Sequence, residues 1–519
     1  MRLRCVSNGS PPRLGLAVAG VLLAELVAGG ASADEPRLAG EPRVLFESTE
    51  LTRVVDAFDE GNPFDLHLSL GYRHSAKRAK VYREGTLGDD GVSTENLSQP
   101  LVPVAQYTES TNLLEPRMDI GLYHDVALVV RMPIILSNDR RLTAFDGSND
   151  INHALAGASG EGQLFSLPFE SPTRSGIEYL ALGFDVGIMN QYRDRSMPTW
   201  VFGLEGQFNV SEPMRACNAN PAAGQVKCAH PADVNRNGTS DSNAELDDPA
   251  QQASDVELEG AFEGKRSPGV SRGMTGLELH TYVSKRVKYI EPYGGFRANF
   301  EFPNASSDYG RLDLRGTLVS HPPLQGTMIG GLAVVPWEVR SRMQRVLLDF
   351  RFEGSYRSEG QDYSELFDAL GSSDAPSLRL PHYDQYVAGP EDESVVDTGS
   401  RRVYFTGLTD VQQHLIWKLQ AEVTWQAGEY VRFKLGGAYT QAQSHIITNS
   451  QSCNPDFDPE LSEAGRCRTT ELGDDGEPYE TATGLPNPSY RSVIDAPGRR
   501  YRASDTYNLD AWLRAIVMF

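Results

Sequence analysis

Beyond residue 33 the chain has no run approaching the roughly 18 consecutive apolar residues that a membrane-spanning helix needs, so any part that crosses a bilayer must cross as strands. Cations are in deficit. With 48 Lys and Arg against 70 Asp and Glu the net charge is -22, which excludes nucleic acid as a partner. Cysteine is scarce, five in 519 residues, and neither close pair, Cys217 with Cys228 or Cys453 with Cys467, has zinc-type spacing. No phosphate-cradling glycine loop, zinc cluster or nucleotide fingerprint stands out.

What is present begins with Arg2, Arg4 and Arg13, then the apolar run Leu14 to Val27, then Ala31-Ser32-Ala33. A positive stretch, a short apolar stretch and small residues in that order make a secretory signal, so residues 1–33 are expected to be removed near Asp34. Cys5 precedes the apolar run, which argues against a lipid anchor. Removing these residues takes three Arg and one Glu and leaves -24. The four remaining cysteines lie in polar loop stretches of an exported chain and are expected to form two disulfides, Cys217 with Cys228 and Cys453 with Cys467.

Apolar and polar residues alternate over about ten positions again and again, the pattern of a strand with one greasy and one wet face. In Phe64 to Arg73 every even position is apolar. The same pattern predicts strands at 117–123, 126–136, 177–189, 199–210, 276–284, 291–302, 326–335, 345–356, 413–425, 430–439 and 507–519. Together these make twelve, each long enough to cross a bilayer at a tilt near 45°. Five short connections (124–125, 190–198, 285–290, 336–344, 426–429) alternate with six long polar ones (75–116, 137–176, 211–275, 303–325, 357–412, 440–506).

A soluble sandwich has no reason to keep all its short turns at one end, whereas a transmembrane barrel does. The expected fold class is therefore all-β, an antiparallel transmembrane β-barrel of about twelve strands over 64–519, with short periplasmic turns and long extracellular loops. Residues 34–63, too short for a domain, are expected to be a short periplasmic N-terminal segment that either hangs in the periplasm or enters the lumen. Trp200, Trp337, Trp425, Tyr123, Tyr192, Tyr289, Tyr293 and Tyr430 sit beside the short turns, as an interfacial aromatic girdle requires.

The last residues, Asn508 to Phe519, resemble the final strand of bacterial outer-membrane proteins, with Ala511, Leu513, Ala515, Val517 and Phe519 on the apolar face. The resemblance implies an outer-membrane location, lipid around the wall, and recognition of Phe519 by the barrel-assembly machinery. A looser similarity, over Met118 to Ile134 with Pro133 closing the rising strand and over Leu180 to Val210 around Pro198-Thr199-Trp200, is to outer-membrane channels of the aromatic-degradation type. It implies no particular substrate.

If apolar faces meet lipid, the other faces line the lumen. Asp119, Arg131, Asp185, Glu205, Glu278, Arg297, Asp349, Arg351, Lys418, Glu422, Arg432 and Arg514 are expected there, with Asp65, Arg73, Arg117, Glu301, Glu353, Lys434 and Asp510. Acids and bases nearly balance, so cross-strand ion pairs around a small water-filled lumen are expected rather than a strongly ion-selective pore. A passive channel for small solutes follows, with a structural or adhesive protein presenting disulfide-tied loops as the alternative. An outer-membrane lipid hydrolase is a third reading.

For that third reading, His67-Leu68-Ser69 resembles the His-x-Ser of outer-membrane lipid hydrolases, but it shares the lumen face with Asp65 and Arg73, so the sequence is read as a non-enzyme. No cofactor is expected apart from calcium: Asp233, Asn235, Asn237 and Asp241, around Gly238, follow the start of a calcium-binding loop. Ala244 stands where that motif has an acid, and the same residues equally make a solvated turn.

Overall fold

The computed structural model describes residues 43–46, 49–57, 64–85, 101–145, 155, 162–220, 228, 240–241, 255–256, 267–304, 307–311, 316–373, 375–379 and 405–519. Twelve strands form one closed antiparallel barrel: β1 (Leu66–Glu84), β2 (Leu101–Tyr123), β3 (Val126–Arg131 and Ile134–Ala144), β4 (Arg174–Ile177 and Leu180–Met189), β5 (Thr199–Phe208) and β6 (Met274–Ser284) come first. β7 (Ile290–Pro303), β8 (Gln325–Val339), β9 (Gln344–Arg357), β10 (His414–Gln426), β11 (Val431–Ala442) and β12 (Tyr501–Met518) complete the wall. Each strand pairs with the next in sequence, and β12 returns to β1, so no edge is left to template aggregation.

Alternation builds the wall. Leu68, Leu70, Phe184, Phe296, Phe350, Leu435 and Leu513 stand exposed on the outer face, and the residues between them turn inward. An apolar band of this extent on a closed barrel is a surface for lipid. Tyr123, Tyr289, Trp337, Trp425 and Tyr430 stand exposed around the short-turn end as an aromatic girdle. Tyr293 does not join it: one position out of phase, it points inward and donates its hydroxyl to Asp349 at 2.5 Å. Trp200 lies half-buried with its indole N–H on Thr281 Oγ1 at 2.8 Å, and Tyr192 packs against Phe46 at 5.6 Å between ring centroids.

Several strands run past the sequence expectation, the first two the farthest. β1 runs for 19 residues and β2 for 23, so most of the stretch expected as the first loop is strand. Above the lipid both faces change chemistry, and the greasy-outside alternation that marks a membrane strand is lost. Pro133 interrupts β3 without closing it, because β2 continues alongside: Met132 donates to the Pro116 carbonyl at 3.2 Å, and pairing resumes at Ile134 opposite Leu114. Proline removes one ladder donor, yet the register against β2 is the same on both sides of it, and only the pairing with β4 shifts by a step.

At the other end the long connections fold into a cap with its own core. Ala79, Val81, Val104 and Tyr107 of β1 and β2, Tyr501 and Ala503 of β12, and Leu366, Leu370, Leu378, Val493 and Ile494 from the loops are buried together. The disulfides Cys217–Cys228 and Cys453–Cys467 both lie in these loops.

Candidate functional site

The barrel interior is the site, and its first feature is a segment whose place, periplasm or lumen, the sequence leaves open. Residues 43–46 and 49–57 lie inside the short-turn mouth. Leu45, Phe46, Val54 and Val55 are buried there, Val54 and Val55 against Ala127 and Val201 of the wall. A short apolar-rich segment gains more by entering a nearby mouth than by standing in water.

Polar contacts hold it in place. The Leu45 carbonyl accepts from Arg286 at 2.5 Å and Arg345 at 2.6 Å, and the Phe46 carbonyl accepts from Arg286 at 2.6 Å. The Phe46 ring lies beneath the guanidinium groups of Arg195 and Arg286, 4.1 and 5.4 Å from its centroid. Farther in, Glu50 meets Lys434 at 2.5 Å and Arg514 at 3.4 Å, while Asp56 meets Arg193 at 3.2 Å.

Of the nineteen residues expected in the lumen, most have a polar partner in the barrel interior. Arg117 meets Asp119 at 2.8 Å, Arg351 meets Asp349 at 3.2 Å, Arg297 meets Glu353 at 3.5 Å, and Arg131 holds Glu205 with two N–H groups. Arg514 joins Glu115 at 3.3 Å, and Glu115 joins Arg73 at 2.6 Å. Lys434 bridges Glu50 to Glu422 at 2.8 Å, so one charge network runs from β1 through the inserted segment to β10. Arg432 donates instead to Gln426 at 2.6 Å, and Lys418 faces Glu353 across the ladder, with no contact at ion-pair distance among the described residues.

Several contacts skip a strand. His280 on β6 reaches Asp185 on β4 at 3.0 Å, passing over Gly203 of β5, where a Cβ would lie 2.0 Å from the imidazole. Its other nitrogen lies 3.4 Å from Glu278. Likewise Trp512 on β12 donates to Glu422 on β10 at 2.9 Å across Gly436, where a Cβ would meet the indole at 2.3 Å. In a narrow barrel, glycine on the middle strand lets long side chains on the flanking strands meet.

Four lumen participants had no strong signal: Glu50 lies in the inserted segment, Glu115 in stretch 75–116, and His280 and Trp512 look ordinary in sequence. Ser69 does not pair with His67; its hydroxyl points to the Arg117 carbonyl at 3.5 Å, while Leu68 and Leu70 take the exposed face. Among the calcium-motif residues, Asp233, Asn235 and Asn237 lie outside the described residues, and of Asp241 only the backbone, paired with Asp255, is described. No three His, Cys, Asp or Glu side chains come together as a metal site among the described residues.

No family model matches the sequence, and no curated protein matches it. Solved structures with a similar chain path include an outer-membrane channel from Pseudomonas putida F1, at 9% identity and TM-score 0.33, covering 90% of this chain and 100% of that one. Two others are the P. putida toluene transporter TodX, at 9% and 0.26, covering 88% and 90%, and the outer-membrane protease OmpT from Escherichia coli, at 6% and 0.24, covering 88% and 96%. At these scores what those proteins do is not carried over, and the fold stands on its own strand pairing: the chain is a twelve-stranded β-barrel of the outer-membrane type.

Proposed function

We propose that the protein is a passive outer-membrane channel for small solutes, held shut at its short-turn end by residues 43–57. The observation that supports this reading is the way the segment is anchored. Glu50 and the carbonyls of Leu45 and Phe46 are held in the mouth by hydrogen bonds and an ion pair to wall cations. Water can take over those hydrogen bonds when the segment leaves. In the same reading residues 1–33 direct export, Phe519 is recognised during assembly, and the balanced wall charges give weak ion selectivity.

Planar-bilayer recording tests it. The full mature chain is expected to open rarely, and a variant lacking 34–57 to show frequent discrete openings. A deletion variant that inserts but never conducts would sink the channel reading in favour of the anchor. That second reading, a barrel presenting loops at the surface, is supported by the cap, whose buried core and two disulfides make it a folded unit in its own right.

A further inference from the structure

Buried acids in the cap are matched by cations. Glu84 meets Arg500 at 2.8 Å, Glu365 meets Lys77 at 2.9 Å, Asp368 meets Arg174 at 2.6 Å, and Asp362 meets Arg272 at 2.9 Å. Two acids depart from the rule: Asp410 and Asp495, 3% and 5% exposed, have no Lys, Arg or His at ion-pair distance among the described residues. The Arg491 backbone N–H donates to Asp495 Oδ2 at 2.7 Å, but its guanidinium attracts Asp495 only from farther away and turns to the carbonyls of Leu378, Pro488 and Tyr490, at 3.0, 2.8 and 3.2 Å. Glu359 adds a further negative charge near Asp410.

Ser450 joins the two acids. Its backbone N–H donates to Asp495 Oδ1 at 3.3 Å, and its hydroxyl, which accepts from Asn487 Nδ2 at 3.1 Å, lies near enough to Asp410 to favour the carboxylate. Asp410 Oδ1 is buried without a hydrogen-bond partner. So is Oε1 of Gln361, which is 5% exposed and sits directly opposite Asp410 in the short antiparallel pair Gly360–Asp362 with Thr409–Val411. Directly opposed residues share a face, so two orphaned oxygens project from the same side of that pair. An orphaned buried carboxylate oxygen is expensive, and a second beside it without a cation is more so.

The donors are all oxygen: two carboxylates, an amide carbonyl and a hydroxyl. That set suits a hard cation, and its irregular arrangement on unrelated loops suits calcium better than the strict octahedron magnesium demands. We propose that Asp410, Asp495 and Gln361 bind a calcium ion that ties the 360–362/409–411 strand pair to the segment Ser492–Asp495.

Without the ion, burial pushes Asp410 up to about 7 and Asp495, burial being reinforced by Asp410, up to about 8. A carboxyl raised in the folded state stabilises fully below its unfolded value, near 3.8, and that stability is lost as pH rises through 7 to 8. Calcium should therefore matter most at pH 8 and hardly at pH 5.

Calorimetry and thermal unfolding of the full mature protein in detergent, with calcium chloride or chelator, decide the matter. At pH 8 binding with Kd of about 10⁻⁴ to 10⁻³ M is expected, the range of extracellular calcium modules, with a higher unfolding midpoint in calcium. Asp410→Asn and Asp495→Asn should each weaken binding at least about tenfold, the lower bound for disturbing even an indirect partner of a metal. Gln361→Glu, which adds a carboxylate and leaves both acids in place, should tighten it. A calcium effect undiminished in the Asp410→Asn/Asp495→Asn double variant overturns the proposal by placing the ion elsewhere. So does an unchanged affinity in Gln361→Glu, or a wild type indifferent to calcium at pH 8 whose Asp410→Asn variant is more stable in chelator, the mark of a shared proton.

Discussion

The lower and upper parts of β1 obey opposite rules. From Leu66 to Tyr72 the even positions are apolar and face outward, while Arg73 and Ser75 turn to ionic partners in the lumen. Higher up, Ala79 and Val81 turn inward into the buried core of the cap, and Arg78 and Lys80 face outward. The strand keeps its period of two, but the greasy side moves from the outer wall to the inner one. β12 makes the same exchange in the reverse direction, from Tyr501 and Ala503 inward to Leu509 and Leu513 outward, with a register step between. Lipid covers the outside of the lower part and folded loops fill the inside of the upper part, so the surroundings, not the backbone, set the polarity.

The contrast can be broken from either side. The largest effect is expected from the cap: Leu370, fully buried in its core, should cost about 2–5 kcal/mol when replaced by Ala. Limited proteolysis should then cut the loops of Leu370→Ala while the barrel stays heat-modifiable on gels; coincident loss of both would mean the cap is not a separate unit. Next, Leu513→Arg at the middle of the lipid band should cost about 2–4 kcal/mol in refolding titrations into vesicles. Arg78→Leu, outward on the same wall but above the lipid, should stay within about 0.5 kcal/mol. Equal costs at the two positions would remove the boundary we draw between them.

A smaller loss than that of Leu370→Ala or Leu513→Arg concerns pH. Burial alone would raise Glu365, but Lys77, with help from His445, holds it down to about 2. A depressed carboxyl contributes stability above its unfolded value, near 4.5, and loses it as pH falls through 2. Cap stability, followed by loop proteolysis, should therefore decline between about pH 5 and pH 2, and Lys77→Met should flatten that decline. Because Lys77 is a third exposed and partly screened, the difference at pH 7 should be about 1 kcal/mol. An identical acid profile in the variant would show that the pair carries no net stability.

Much of the wall was legible because facing is local. Once Leu68 and Leu70 face lipid, Ser69 cannot, and the same parity puts Asp185, Lys418 and Arg514 inside. Partners were not legible. Arg131 lies 74 residues from Glu205, and the two meet across an intervening strand only because the barrel is narrow. The upper reaches of β1 and β2 lack the greasy-outside alternation of a membrane strand, so their order of residues does not mark them as wall. Nor does the inserted segment stand out, because nothing in Leu45-Phe46 or Glu50 distinguishes a plug from a linker.

Strand number, the alternation of short and long connections, and the division of side chains between lipid and lumen follow from the order of residues alone. Each rests on a repeat of two over about ten positions, read within a single strand. What fills the two ends was settled only by the folded chain: the Leu45 carbonyl meets Arg345 across 300 residues, and the Ser450 N–H meets Asp495 across 45. A contact between remote segments depends on where closure of the barrel brings them, and no local pattern carries that information.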